Sequence, residues 1–78
     1  MKEFSADVIF GEESKEALDS LAKSNGWICI ATPRQRFQYR RVDKHIWLNR
    51  DCWTIADFDD GLFINHVYIK VLTEEHFK

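Results

Sequence analysis

The sequence predicts a small α+β domain in which one N-terminal helix packs on a mainly antiparallel sheet of four to five strands, in the order β-α-β-β-β-β. One segment near the N-terminus has helical periodicity, and the rest of the chain consists of short β-prone runs separated by turn residues. The length of 78 residues suits one domain spanning 1–78, and a hydrophobic content of 45% supplies a single core.

The first two elements are read from periodicity and from their boundaries. Residues 3–10 alternate apolar and polar side chains, which predicts a strand. Gly11 interrupts this run, and acidic residues follow where the first turn of a helix favours negative charge. We predict a helix over Glu12–Ser24 that ends at Gly26, a residue that adopts positive φ at low cost. Its apolar stripe consists of Ala17, Leu18, Leu21 and Ala22.

The middle of the chain contains several β-prone runs. Residues 27–31 are continuously apolar, which predicts a strand covered on both faces. Residues 35–42 and 45–49 predict the next two strands, with a turn at 43–44 between them. Residues 52–58 are compatible with either a strand or a short helix.

The last third of the chain predicts a hairpin. Asp60-Gly61 supplies the positive φ values of a tight turn, and residues 62–72 form the clearest strand. Strict alternation places Phe63 on the same face as Val67 and Ile69. The polar residues 73–78 predict a frayed tail. Two topologies stay open: a right-handed βαβ unit at the start, or a helix packed across a curved sheet.

Charge is distributed in blocks along the chain. The net charge is −2, but residues 33–50 contain five arginines and one lysine against a single aspartate. All five arginines of the protein lie in this basic segment, whereas the flanking segments are both acidic. We therefore expect any binding function to depend on residues 33–50.

The basic segment predicts a binding surface built on strands. Alternation places Arg36, Gln38 and Arg40 on one strand face, about 6.6 Å apart, which matches the spacing of phosphates in an extended nucleic acid. The planar guanidinium of arginine binds phosphate or carboxylate through two hydrogen bonds. Trp47 is predicted to be partly exposed, because Ile46 and Leu48 occupy the apolar face of its strand. The predicted binding residues are Arg34, Arg36, Gln38, Arg40, Arg41, Lys44, Trp47 and Arg50.

We therefore expect a non-catalytic binding or regulatory protein whose basic segment engages nucleic acid or a phosphate-bearing ligand. The alternative is a protein–protein inhibitor or adaptor that docks on an acidic protein surface, such as a phage or mobile-element inhibitor of a host nucleic-acid enzyme. Self-association into a homodimer, basic segment against acidic flank, is a further alternative. A purely structural explanation also stands, since the arginines could be solvated on an edge strand or neutralised by carboxylates of the same chain.

Other functional classes lack a signal. The three histidines and two cysteines show no metal-ligand spacing, so neither a metal site nor a cofactor is expected. No nucleophile motif, carboxylate pair or glycine-rich phosphate loop predicts an enzyme. No apolar run is long enough for a signal peptide or a membrane span, so we expect a cytoplasmic (intracellular) protein without membrane contact. Cys29, in an apolar run, is expected to be a buried, reduced thiol.

Overall fold

A computed structural model describes residues 2–8 and 11–78, and it confirms the α+β class. Five strands form one antiparallel meander in the order β2-β3-β4-β5-β6, and β1 pairs with β7 in a separate antiparallel sheet. The sheets therefore contain no parallel βαβ pairing among the described residues. The elements are β1 Glu3–Ser5, α1 Glu12–Ser24, β2 Ile28–Cys29, β3 Gln38–Arg41, β4 Lys44–Asn49, β5 Cys52–Asp59, β6 Leu62–Ile69, β7 Val71–Thr73 and a terminal 3₁₀ helix, Glu74–Phe77.

Helix α1 has the predicted bounds, and its apolar stripe faces the core. Leu18 and Ala22 are buried, and two acidic residues occupy the first turn. Gly26 adopts a φ of 83°, and its backbone N–H donates to the Lys23 carbonyl at 3.1 Å. The predicted C-terminal stop is therefore confirmed, because this conformation is strained for any residue with a Cβ.

The core lies between α1 and one face of the sheet, which we call the inner face. Tyr39, Ile46 and Trp53 lie on adjacent strands β3, β4 and β5, and each is fully buried. Trp53 Nε1 donates to the Phe4 carbonyl at 2.9 Å, which ties β1 to this core. The helix and β1 therefore pack on the inner face, and we call the opposite side of the sheet its outer face.

Two N-terminal predictions differ from the structure. Strand β1 is only three residues long, and the predicted strand residues Ile9 and Phe10 lie outside the described residues. The apolar run 27–31 is not a strand covered on both faces, since only Ile28–Cys29 pair and both are exposed. The reason is position: β2 is an edge strand that pairs with β3 alone. The prediction of a buried Cys29 is therefore wrong.

Residues 52–58, for which the sequence left strand and helix open, form a strand. The neighbouring strand β6 contains a β-bulge that the alternation of its side chains does not predict. Asn65 has a φ of 56°, and the register shifts there, from Ile55 opposite Val67 to Asp57 opposite Ile64. Two residues of β6 thus lie opposite one residue of β5. Asparagine is among the few residues that tolerate this left-handed conformation.

The bulge changes which side chains share a face. Phe63 lies opposite Phe58, and its ring approaches Trp47, so it belongs to the outer face with His66 and Tyr68. The prediction that Phe63 shares a face with Val67 is wrong, because the extra residue inverts the alternation on one side of the bulge. The predicted strand 62–72 also breaks at Lys70 into β6 and β7.

The C-terminal residues differ from the predicted frayed tail. Phe77 is fully buried, and its ring makes edge-to-face contacts with Trp27 and Tyr39 at centroid distances of 5.4 and 5.8 Å. Trp27 Nε1 donates to the Phe77 carbonyl at 2.8 Å. A single aromatic residue in a polar segment therefore anchors the tail in the core.

The β3–β4 turn contains a strained residue that yields a first prediction. The turn is Val42-Asp43, one residue earlier than predicted, and exposed Val42 has a φ of 54°. A left-handed conformation costs an ordinary L-residue about 1–2 kcal/mol, and more for a β-branched one. Val42→Gly is expected to raise the free energy of unfolding by about 0.5–1 kcal/mol after the entropic cost of glycine. Chemical denaturation measures this change.

Asp43→Gly is the matched control, because Asp43 is not among the residues with positive φ. There, glycine only increases the freedom of the unfolded chain, so the same measurement should show a loss of stability. A gain from both substitutions would contradict the assignment of strain to Val42.

Candidate binding face on the outer side of the sheet

The outer face of the sheet is defined by its register. Directly opposite residues in an antiparallel pair point to the same side, and the inner face is marked by Tyr39, Ile46 and Trp53. The alternate residues therefore form the outer face. They include Gln38, Arg40, His45, Trp47, Thr54, Ala56, Phe58, Phe63, His66 and Tyr68.

Six of these residues form a continuous aromatic strip: His45, Trp47, Phe58, Phe63, His66 and Tyr68. Phe63 lies at its centre, with ring centroids 5.0 Å from His45, 5.1 Å from Trp47 and 5.2 Å from Phe58. His66 links Trp47 to Tyr68 at 6.3 and 6.1 Å. The strip crosses the sheet from β4 to the edge strand β6.

Several rings of the aromatic strip are open to solvent. Tyr68 is 60% exposed, and Phe63 and Phe58 are 41% and 40% exposed. Exposed aromatic clusters on a small domain mark an interaction surface, because burying such rings is strongly favourable. The described part of α1 and β1 packs on the other face and leaves these rings uncovered.

The charged side chain among the named outer-face residues is that of Arg40. None of the outer-face residues named above is a carboxylate, and Arg40 stands beside the strip, opposite His45 on the next strand. Arg40 is exposed, and among the described residues its side chain makes a single hydrogen bond, from Nε to the Val42 carbonyl at 3.2 Å. Burial lowers the pKa of His45, and the positive charge of Arg40 lowers it further. Both effects favour the neutral form of His45.

Two polar atoms lie unpaired beneath the strip. His45 Nδ1 and Thr54 Oγ1 are buried and have no hydrogen-bond partner among the described residues. A buried unsatisfied polar group costs about 1–3 kcal/mol. The outer face thus contains two polar groups whose burial lowers the stability of the fold.

Three of the predicted binding residues come together on the outer face. Gln38 and Arg40 lie on β3, and Trp47 lies opposite Gln38 on β4. Trp47 is partly exposed, and its strand neighbours Ile46 and Leu48 face the core, as the sequence predicted.

Three other predicted residues, Arg34, Arg36 and Arg50, line a cleft of about 380 Å³ at one end of the sheet. The guanidinium of Arg36 pairs with Glu12 at the start of α1, and it lies 5.5 Å from the ring centroid of Phe37. Because Arg36 precedes β3, it does not extend the outer-face row with Arg40 as predicted. Arg34 and Arg50 are exposed and form no ion pair with the described residues.

The remaining two cations of the basic segment, Arg41 and Lys44, form hydrogen bonds within the fold. Arg41 donates to the carbonyls of Asn25, Phe77 and Lys78 at 3.0, 2.8 and 3.1 Å. Lys44 Nζ donates to Asp57, and this hydrogen bond raises the pKa of Lys44 and lowers that of Asp57. Internal neutralisation by carboxylates therefore accounts for Arg36 and Lys44, but not for the arginines beside the sheet face.

Five members of the strip were not among the predicted binding residues: His45, Phe58, Phe63, His66 and Tyr68. Their signal in the sequence is the pair of aromatic residues on either side of the Asp60-Gly61 turn, which register places opposite each other. The bulge at Asn65 hides the rest, because it breaks the period of two.

We also looked for a metal site and for a membrane-spanning helix in the described ranges, 2–8 and 11–78. No three side chains of the metal-ligating types come together there. No helix in these ranges combines the length and apolar character that a membrane crossing requires. Comparison with protein-family models, with curated proteins and with solved structures found no match to this chain.

Proposed function

We propose that this protein binds single-stranded nucleic acid across the outer face of its sheet. The observation that supports this most directly is the exposed aromatic strip, which lies beside the exposed Arg40 among described sheet residues that include no aspartate or glutamate on this face. Single-stranded nucleic acids bind to such surfaces because bases stack on aromatic side chains while cations contact the phosphates.

The division of roles follows from exposure. Tyr68 and Phe63, at 60% and 41% exposure, would stack on bases, and Trp47 would provide a third platform. Arg40 would contact a phosphate at the β3 margin, and Arg34 and Arg50 would attract the backbone from the end of the sheet. Bases paired in a duplex cannot stack on a sheet face, so single strands are preferred.

The alternative of docking on an acidic protein surface uses the same arginines and would also bury the rings, since aromatic residues are enriched in protein interfaces. A row of rings beside a cation matches the alternation of bases and phosphates in a single strand more specifically. We therefore argue the nucleic-acid function and treat the protein alternative as an outcome of its test. A protein with a net charge of −2 would bind through this face and the arginines beside it, and not through general electrostatic attraction.

Replacing Tyr68 with alanine is expected to weaken oligonucleotide binding by about 5- to 150-fold, because one base stack contributes about 1–3 kcal/mol. The measurement is fluorescence anisotropy with labelled single strands of about 20 nucleotides, DNA and RNA, and with a duplex of the same sequence. The matched control is Val67→Thr, which changes the neighbouring exposed residue on the inner face. We expect Val67→Thr to bind like the wild type.

Arg40→Gln is expected to change the salt dependence of binding, which a purely structural residue would not affect. Loss of one phosphate contact should lower the slope of log affinity against log salt by about 0.7. Lys23→Gln, an exposed lysine of α1, should leave that slope unchanged. Absence of any complex with single strands at about 50 mM salt would overturn the proposal. Retention of an acidic protein under the same conditions would then support the inhibitor or adaptor alternative.

A further inference from the structure

The outer edge of the five-stranded sheet is formed by β6, Leu62–Ile69. Within the described residues its only strand partner is β5, so one side of an eight-residue strand has no ladder. Its side chains are exposed even where they are apolar: Leu62 is 67% exposed and Val67 is 52% exposed. A long exposed apolar edge is the arrangement that pairs most readily with another strand.

The two edges of this sheet are protected differently. The opposite edge strand, β2, consists of only Ile28–Cys29, and shortness itself prevents extended pairing. Strand β6 is four times longer and contains no lysine, arginine, aspartate, glutamate or proline. The usual devices against edge pairing are therefore missing from β6, apart from its bulge at Asn65.

We propose that β6 pairs antiparallel with β6 of a second copy of this chain, about a two-fold axis perpendicular to the sheet, to form one ten-stranded sheet. The axis would run between Asn65 of each copy and His66 of the other. This pairing goes beyond nucleic-acid binding and does not depend on it.

The register of this pairing is self-complementary. It sets Ile64 opposite Val67 and Leu62 opposite Ile69 on the inner face, and Phe63 opposite Tyr68 on the outer face. Each apolar side chain meets another apolar side chain, and no charge is placed in the interface. A shift by one residue would set inner-face residues against outer-face residues, so alternation disfavours it.

The bulge in β6 is compatible with the two-fold axis of the proposed dimer. It bends β6 at Asn65, and a strand without a bulge would lose pairing there. In a two-fold pair, both strands have two residues between Ile64 and Val67, so both bend at the same place and the ladder continues on either side. A second copy is therefore the occupant that matches both the apolar pattern and the bend.

The first test is the molar mass of the purified chain by light scattering and sedimentation over a range of concentrations. We expect twice the chain mass of 9.3 kDa, falling to the monomer on dilution. Val67→Lys places a charge in the interface and should give a folded monomer. Ile28→Lys introduces the same charge at an exposed residue of β2, the opposite edge strand, and it should remain dimeric. Leu62→Lys repeats the test should Val67→Lys fail to fold.

The second test addresses the register by disulfide cross-linking in a Cys29→Ser, Cys52→Ser background. A mixture of Ile64→Cys and Val67→Cys chains should form a cross-linked dimer on mild oxidation, because these positions are opposed across the axis. Either chain alone should cross-link far less. A wild-type protein that stays at 9.3 kDa at all concentrations, or equal cross-linking in every combination, would overturn the proposal.

Discussion

Replacing Phe77 with alanine is expected to lower the free energy of unfolding by about 3–5 kcal/mol. The ring is fully buried, and it makes edge-to-face contacts with both Trp27 and Tyr39. Truncation leaves a cavity between α1, the sheet and the tail in addition to the lost transfer free energy of the ring. Because a domain of this size is marginally stable, a loss of this magnitude should leave much of the protein unfolded at 37 °C.

Chemical denaturation followed by tryptophan fluorescence measures this loss. The matched control is Phe58→Ala, since Phe58 is the same residue type on the outer face and is 40% exposed. We expect a clearly smaller destabilisation for Phe58→Ala because that site does not enclose a cavity. Equal losses at the two positions, or an unchanged stability for Phe77→Ala, would contradict the placement of the tail in the core.

The adjacent residues Arg40 and Arg41 are expected to separate stability from binding. Arg41→Gln should lower the free energy of unfolding by about 2–3 kcal/mol, because hydrogen bonds from a charged donor to three carbonyls are lost. Its guanidinium also lies 4.9 Å from the ring centroid of Trp27, and this contact would be lost with the charge. Arg40→Gln should change stability by less than about 0.5 kcal/mol, because the side chain is exposed.

For the affinity for single strands we expect the opposite order, with the larger loss in Arg40→Gln. At a temperature where both variants are folded, Arg40→Gln should weaken single-strand binding, and Arg41→Gln should retain the wild-type affinity. The pair is matched in charge change and differs by one position along β3, which points the two side chains to opposite faces. Equal losses of affinity in both variants would indicate that net charge, and not the outer face, determines binding.

These contrasts also show which residues of the basic segment could be assigned from sequence. Alternation along the 45–49 run predicted that Trp47 is partly exposed, because the decision depends only on its immediate neighbours Ile46 and Leu48. Alternation could not predict that Arg41 is a structural residue. Its three acceptors lie 16, 36 and 37 residues away along the chain, so only the folded structure brings them to the guanidinium.

By itself, the sequence determined the features that depend on local chemistry. The bounds of α1 follow from its apolar period and from Gly26, and the β5–β6 hairpin follows from Asp60-Gly61, whose φ values are 51° and 82°. Both result from conformational preferences within a few residues, which a pattern records directly.

Only the tertiary structure decided the face and the partners of each strand. Because of the bulge at Asn65, Phe63 lies on the outer face. Because its ring packs against Trp27, Phe77 is buried in the core although the residues around it are polar. Strand order placed β6 at an exposed edge, whereas its alternation predicted only that it is a strand. These outcomes depend on register and on contacts between distant residues, whose free energies no local pattern contains.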